Sequence, residues 1–229
     1  MIDEYEQAAM SEYQRSLTDI GKLKSPLPTL KRSYVNFDKI IAKAVDESST
    51  KPACKAGCFY CCYYKVEVKA HEMLLIHEYM KKNIAINVRE QILGSATTNA
   101  ELIRRLTPKE HLSTNIKCPF LIENKCSVYE VRPFRCRSFH SLQVEACEAS
   151  HKNPSDFSIA TELIEAVSHF SDALSQGFEA AVMDAGLDHR TYDLNTALLE
   201  TFADDSIEKR YKRGKKAFKT AIEVVEENP

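Results

Sequence analysis

Apolar side chains recur every three or four positions along most of this chain. Between residues 30 and 47, Leu30, Tyr34, Phe37, Ile41, Ala44 and Val45 fall on one helical face behind the breakers Pro26 and Pro28, which predicts an amphipathic helix. The run HEMLLIHEYMKK, residues 71–82, predicts a mostly apolar helix, and Asn87 to Leu106 repeats the period through Val88, Ile92, Ala96, Ile103 and Leu106. Farther on, Ile159, Leu163, Val167, Phe170, Leu174, Phe178 and Val182 hold the same spacing for about seven turns. A last helix is predicted from about Asp205 to Glu226. Strand signals are weak, with one persuasive β-like run from Tyr63 to Val68, YYKVEV.

Between these helical stretches the period breaks where the cysteines gather. CKAGCFYCCYYK, residues 54–65, holds four of the eight cysteines, and CPFLIENKCSVYEVRPFRCRSFHSLQVEAC, residues 118–147, holds the other four. The predicted architecture is therefore mainly α, a helical shell around an irregular cysteine-rich metal-binding centre. It divides into an N-terminal helical segment at 1–50, a cysteine-cluster metal-binding domain at 51–150, and C-terminal helices at 151–229 that pack on it as one compact unit.

Composition narrows the function classes. A formal net charge of -2 gives no global field for nucleic acid or anionic lipid. The start, MIDEYEQAAMSEY, lacks the basic and apolar runs of an export signal, and no stretch has the length to span a bilayer, so the expected address is the cytoplasm. In that reducing compartment eight cysteines point to metal ligands or redox groups rather than four disulfides. The six glycines form no GxGxxG or phosphate loop, which argues against a nucleotide-binding enzyme. KRYKRGKKAFK, residues 209–219, has seven basic side chains and would suit RNA or a protein partner. The favoured reading buries Ile207, Tyr211, Phe218, Ile222 and Val225 as the helix stripe and leaves the cations as its solvated back, diluted by Glu208, Glu223, Glu226 and Glu227.

Geometry limits how the first four thiols are used. On a helix, Cys54, Cys58, Cys61 and Cys62 would share one face, yet at about 1.5 Å of rise per residue that stripe is about 12 Å long. Sulfurs bound to one zinc sit about 2.3 Å from it, hence at most about 4.6 Å apart. Either Gly57 bends the segment into a turn, or part of the quartet joins ligands from elsewhere. Cys118, Cys126, Cys136 and Cys147 are that second source, with Pro119 and Pro133 fixing loops beside two of them. Arg132, Arg135 and Arg137 surround Cys136. Four thiolates outweigh a zinc ion or an oxidised four-iron cluster by about two charges, which guanidinium groups behind the ligands would offset. The same arginines would equally receive an anionic ligand.

The order CKAGCFYCC, then CPFL, CSVYEVRP and CRSF, with a final cysteine at 147, resembles the YkgJ-type cysteine-cluster family, also called CxxCxxCC. That resemblance covers about Cys54 to Cys147, and it departs from the name in a first pair spaced C-x3-C, which makes Cys54 the loosest match. It implies zinc or iron chelation and a relation to flagellin lysine N-methylases, whose methyl donor finds no glycine loop in this chain.

Other chemistries stay beside this one. Cys58 to Cys61 is a C-x-x-C that would suit a redox dithiol, but the βαβ context is missing. His71 and His140 are alternative ligands, and Tyr60, Tyr63, Tyr64 and Phe120 are expected to wall the site from water. The metal is zinc or an iron-sulfur cluster, with iron-sulfur favoured because only one C-x2-C knuckle is present. The favoured function is a metal-binding protein with a structural, metal-handling or electron-transfer role, open to a protein partner. The alternative is a metal- or cluster-dependent enzyme, either redox or resembling a lysine methyltransferase.

Overall fold

The computed structural model describes residues 3–23 and 26–225. It is mainly α. Two long helices, α1 (Glu4–Leu23) and α2 (Pro26–Glu47), come first. After the first cysteine stretch the chain forms β1 (Glu67–Lys69), α3 (Ala70–Asn83), α4 (Ile86–Ile103) and the short α5 (Pro108–Leu112). The second stretch contains a hairpin, β2 (Leu121–Ile122) and β3 (Lys125–Cys126), then α6 (Phe134–Ser138) and α7 (Val144–Lys152). The chain ends with α8 (Glu165–Asp184), β4 (Thr191–Asp193), α9 (Leu194–Ala203), α10 (Ile207–Tyr211) and β5 (Glu223–Val224).

Helices α1, α2 and α8 pack on one another, while α9 lies against α3 and α4. Leu30 and Phe37 of α2, Met73 and Ile76 of α3, Ile92 of α4, Phe178 of α8 and Leu198 of α9 meet in one buried cluster. A small antiparallel sheet, ordered β1-β4-β5, pairs Val68 with Tyr192 and Tyr192 with Glu223. Because β1 runs directly into α3 and β4 into α9, that sheet sets the starts of these two helices side by side. Asp193 caps α9 by accepting the Thr196 amide at 2.9 Å.

The helices at 71–82 and 87–106 form close to their predicted bounds. Pro26 and Pro28 sit inside the first turn of α2 rather than ahead of it, where a missing N–H costs nothing. Of the YYKVEV run only Glu67 and Val68 are strand, and Tyr63 ends a 3-10 helix.

Two predicted helices are corrected. The helix expected from Ile159 begins at Glu165, because the backbone before it bonds to another loop. Leu142 donates to the Glu162 carbonyl at 3.0 Å, and the Ile164 amide donates to His140 Nε2 at 2.7 Å. The helix expected over 205–226 stops at Tyr211, and Glu226 lies outside the described residues. Gly214 takes a φ of 66°, which other residues reach only with strain, and the chain then wraps onto α9. The Ala217 amide donates to Asp188 at 2.7 Å, and the amides of Lys219, Thr220 and Ala221 donate to Glu200 at 2.6, 2.7 and 2.7 Å. Tyr211 and Phe218 are buried as expected of an apolar stripe, whereas Val225 is exposed. Residues 4–23, within the segment expected to be helical, form a helix, and residues 194–203, assigned no element from their period, are helical as well.

Candidate metal centre

The first cysteine stretch is a turn, not a straight helix. The Cys58 amide donates to the Lys55 carbonyl at 3.0 Å, with Gly57 at a φ of 88° that a side chain would strain. A 3-10 helix, Tyr60–Tyr63, follows, and the Cys62 amide bonds the Phe59 carbonyl at 2.9 Å. The straight-helix spacing of about 1.5 Å per residue therefore does not apply to Cys54–Cys62.

The second stretch docks on the first through its backbone. The Cys118 amide donates to the Cys62 carbonyl at 2.7 Å, and the Ile116 amide to that of Tyr63 at 3.1 Å. The chain then folds back as the β2–β3 hairpin, with Leu121 opposite Cys126 and the turn residues Glu123 and Asn124 at φ 48° and 58°. Such left-handed pairs match the twist of two-residue hairpins. Cys136 is presented by α6, whose first amide, Phe134 N–H, donates to Glu72 Oε1 at 2.8 Å. Glu72 is buried in the first turn of α3 and also accepts from the Lys69 amide (3.0 Å) and the Tyr34 hydroxyl (3.1 Å). Cys147 is buried on α7, which packs against the 3-10 helix and sets the His151 ring 4.6 Å from that of Tyr63.

Seven cysteines, Cys54, Cys58, Cys61, Cys62, Cys118, Cys126 and Cys136, line one cavity of about 700 Å³. Cys147 stands outside this lining, close enough for its charge to act on Cys54 and Tyr64. All eight are free thiols. The convergence is loose: among the described residues no three His, Cys, Asp or Glu side chains stand close enough to hold a single ion. The donor set is nonetheless all sulfur, which suits zinc and iron-sulfur clusters over hard cations. The space would hold some twenty waters at roughly 30 Å³ each, more than one ion among thiolates fills.

Five of the thiols, Cys54, Cys61, Cys118, Cys126 and Cys136, resist ionisation. Burial, then the neighbouring Cys126 and Cys61, pushes Cys136 up to about 12, against the opposing pull of Arg132. Burial likewise raises Cys118, followed by the charge of Cys136. Cys61 is raised first by its hydrogen bond with Cys62 and then by burial. Burial raises Cys126, opposed by the Val128 amide and Arg132, and burial raises Cys54 as well. A cation among them would supply the missing compensation, and its binding would release protons.

The three arginines take different positions. Arg132 lies 3.8 Å over the Tyr129 ring, bonds the Tyr129 carbonyl at 2.9 Å, and exerts its charge on Cys126 and Cys136. Arg137 is buried as a strut between α6 and α2, paired with both oxygens of Asp38 (2.9 and 2.7 Å), bonded to the carbonyls of Arg132 and Glu130, and stacked over Tyr34. Arg135 is exposed on the rim. Neither histidine lines the cavity. His140 uses both ring nitrogens, accepting from Ile164 and facing the Ser138 carbonyl at 3.0 Å. His71 is buried against Phe178 and Tyr211. Tyr64 and Phe120 form part of the wall, while Tyr60 and Tyr63 stack with Phe59 and His151 outside it.

Sequence reasoning passed over Glu72 as the support of α6, and over Lys55, Lys65 and Lys125, which line the cavity. The Glu72 signal was present as a glutamate three residues after the strand end, a capping-box spacing. The lysines carry no local signature.

No helix among the described residues is long and apolar enough to cross a membrane. Residues 53–156 match the family model CxxCxxCC, described as a "putative zinc- or iron-chelating domain". No curated protein and no solved structure matches the chain.

Proposed function

We propose that thiols of both cysteine stretches hold one shared inorganic centre, a reading supported by the match of residues 53–156 to the CxxCxxCC model of a "putative zinc- or iron-chelating domain". The observation that carries this reading is the single cavity onto which seven of the thiols open. Cys61, Cys118, Cys126 and Cys136 are chosen as the inner ligands: all four line the cavity, they come from both stretches, and each is less exposed than Cys54. Cys54, Cys58, Cys62 and Cys147 form the outer set.

The centre is an iron-sulfur cluster in preference to zinc. Single-zinc ligation draws sulfurs within about 4.6 Å of one another, and the loose spacing and wide cavity favour a larger occupant. When bound, such a cluster supplies one-electron chemistry; this chain's residues bind it, shield it behind Tyr64 and Phe120, and offset its thiolate charge through Arg132. The role is structural, metal-handling or electron-transferring. A cluster-dependent enzyme is the second reading, favoured by the space left in the cavity for a substrate.

Anaerobic purification followed by an absorption spectrum and analysis of iron, sulfide and zinc tests this. A brown protein absorbing near about 400 nm with iron and sulfide is expected. A colourless protein with stoichiometric zinc overturns the choice of metal, and one without metal overturns the reading.

A further inference from the structure

The charged side chains that line the cavity are of one sign only. Six cationic side chains line it, Lys55, Lys65, Lys125, Arg132, Arg135 and Arg137, and no aspartate or glutamate does. Two are matched from outside the lining: Lys65 pairs with Glu67 at 2.7 Å, and Arg137 with Asp38 at 2.7 Å. Lys55, Lys125 and Arg135 have no ion-pair partner among the described residues, and Arg132 faces the thiols. Four thiolates around a divalent ion or a doubly positive cluster leave a surplus of about two negative charges. Four unmatched cations exceed that surplus, so the loaded cavity stays net positive.

Its shape suits a ligand as well as a centre. A volume of about 700 Å³ lies within the roughly 300–1,000 Å³ of small-molecule pockets. Phe120, Leu121, Val128, Phe139 and Leu194 supply apolar surface to its lining. The hairpin tip adds Asn124 beside Lys125, and the 54–58 turn adds Lys55 to the lining of the same cavity.

We propose that the cavity binds a small organic anion, a carboxylate or phosphate ester with an apolar body, whose charged end is held by Lys55, Lys125 and Arg135 beside the thiol centre. This rests on the preceding reading for the presence of the centre, and on the cavity's charge and shape for the ligand. Arg132 is left out of the recognition set because it serves the thiolates.

The test uses the full chain, purified anaerobically, with metal content measured before any titration. Phenyl phosphate, benzoate and the neutral benzyl alcohol are titrated by calorimetry into the protein and into Lys55→Gln/Lys125→Gln/Arg135→Gln. One or both anions are expected to bind at least about tenfold more tightly than benzyl alcohol, and to lose about tenfold or more in the triple variant at unchanged metal content. The stronger of the two anions identifies the headgroup. Absence of anion binding, equal binding of the alcohol, or equal affinity in the variant overturns the proposal. A preparation free of metal overturns the preceding reading instead; anion binding there that the triple variant abolishes still supports the anion site.

Discussion

Glu72 Oε1 accepts the backbone amide of Phe134 at 2.8 Å, so a buried carboxylate in the first turn of α3 holds the start of the short helix that presents Cys136. The same side chain accepts from Lys69 and Tyr34, tying the strand end, α2 and α6 to one point. Cys136 lies two residues beyond Phe134, which makes the placement of one expected ligand depend on a residue that touches no sulfur.

Glu72→Ala leaves three donors without their acceptor in a buried site. Hydrogen bonds to charged groups are worth roughly 1.5–3 kcal/mol each and are not additive, so a loss of about 3 kcal/mol is expected in urea unfolding. Metal content should fall in the same variant. Unchanged metal content would mean that α6 is held without Glu72.

His71 sets an acid limit to stability. Burial first, and then the charge of Lys69, lowers its pKa to about 3, with Asp188 opposing; Tyr211 faces its Nδ1 at 3.3 Å. The unfolded imidazole takes up a proton near its ordinary value of 6.5 while the folded one refuses it. Stability is therefore whole above about pH 6.5 and declines as pH falls toward 3, by up to about 1.4 kcal/mol per pH unit. Urea unfolding between pH 7 and 4.5 should show this slope, and His71→Phe at equal metal content should flatten it. An identical slope in the variant would assign the acid sensitivity elsewhere.

Glu200 holds the C-terminal strap. Burial alone would raise its pKa, yet the amides of Lys219, Thr220 and Ala221 and the Thr220 hydroxyl outweigh burial and lower it. Its stabilising share is present above the ordinary carboxylate value and is lost as pH drops through the lowered folded one. Glu200→Ala should release residues 217–224 from α9 and the sheet, read as faster tryptic cleavage at Lys215, Lys216 and Lys219. Cleavage as slow as in the parent would show that β5 pairing alone secures the strap.

The cysteines should separate by position. Serine at Cys61, Cys118, Cys126 or Cys136 is expected to lose most of the metal and to lower the melting temperature together, as coupled binding and folding require. Cys54→Ser should keep most of both, since Cys54 is the exposed thiol. Equal losses at all these sites would remove the distinction between inner and outer sets.

What the sequence revealed depended on how local each feature is. α2 and α4 bury one face, so their period of three and four reads directly as helix, while α3 is buried on every side over 70–76 and reads as a mostly apolar run. Residues 207–222 carry a similar period, but their backbone partners, Asp188 and Glu200, lie far back in the chain, and no local pattern records that. The two cysteine stretches announced themselves by spacing, and Gly57 marked the turn that bends the first. Lys55 and Lys125 look like any surface lysine until the turn and the hairpin bring them into the lining of one cavity. Arg137, expected behind the ligands, spends its hydrogen bonds on Asp38 and two carbonyls, a role its neighbours in sequence do not disclose.

The central claim is that sulfurs from residues 54–62 and from residues 118–136 bind one centre. Anomalous diffraction at the iron and zinc edges from anaerobically grown crystals measures this directly. A single strong iron peak is expected in the cavity, within bonding distance of Cys61, Cys118, Cys126 and Cys136. A metal bound by thiols of only one stretch, or lying outside the cavity, would contradict it.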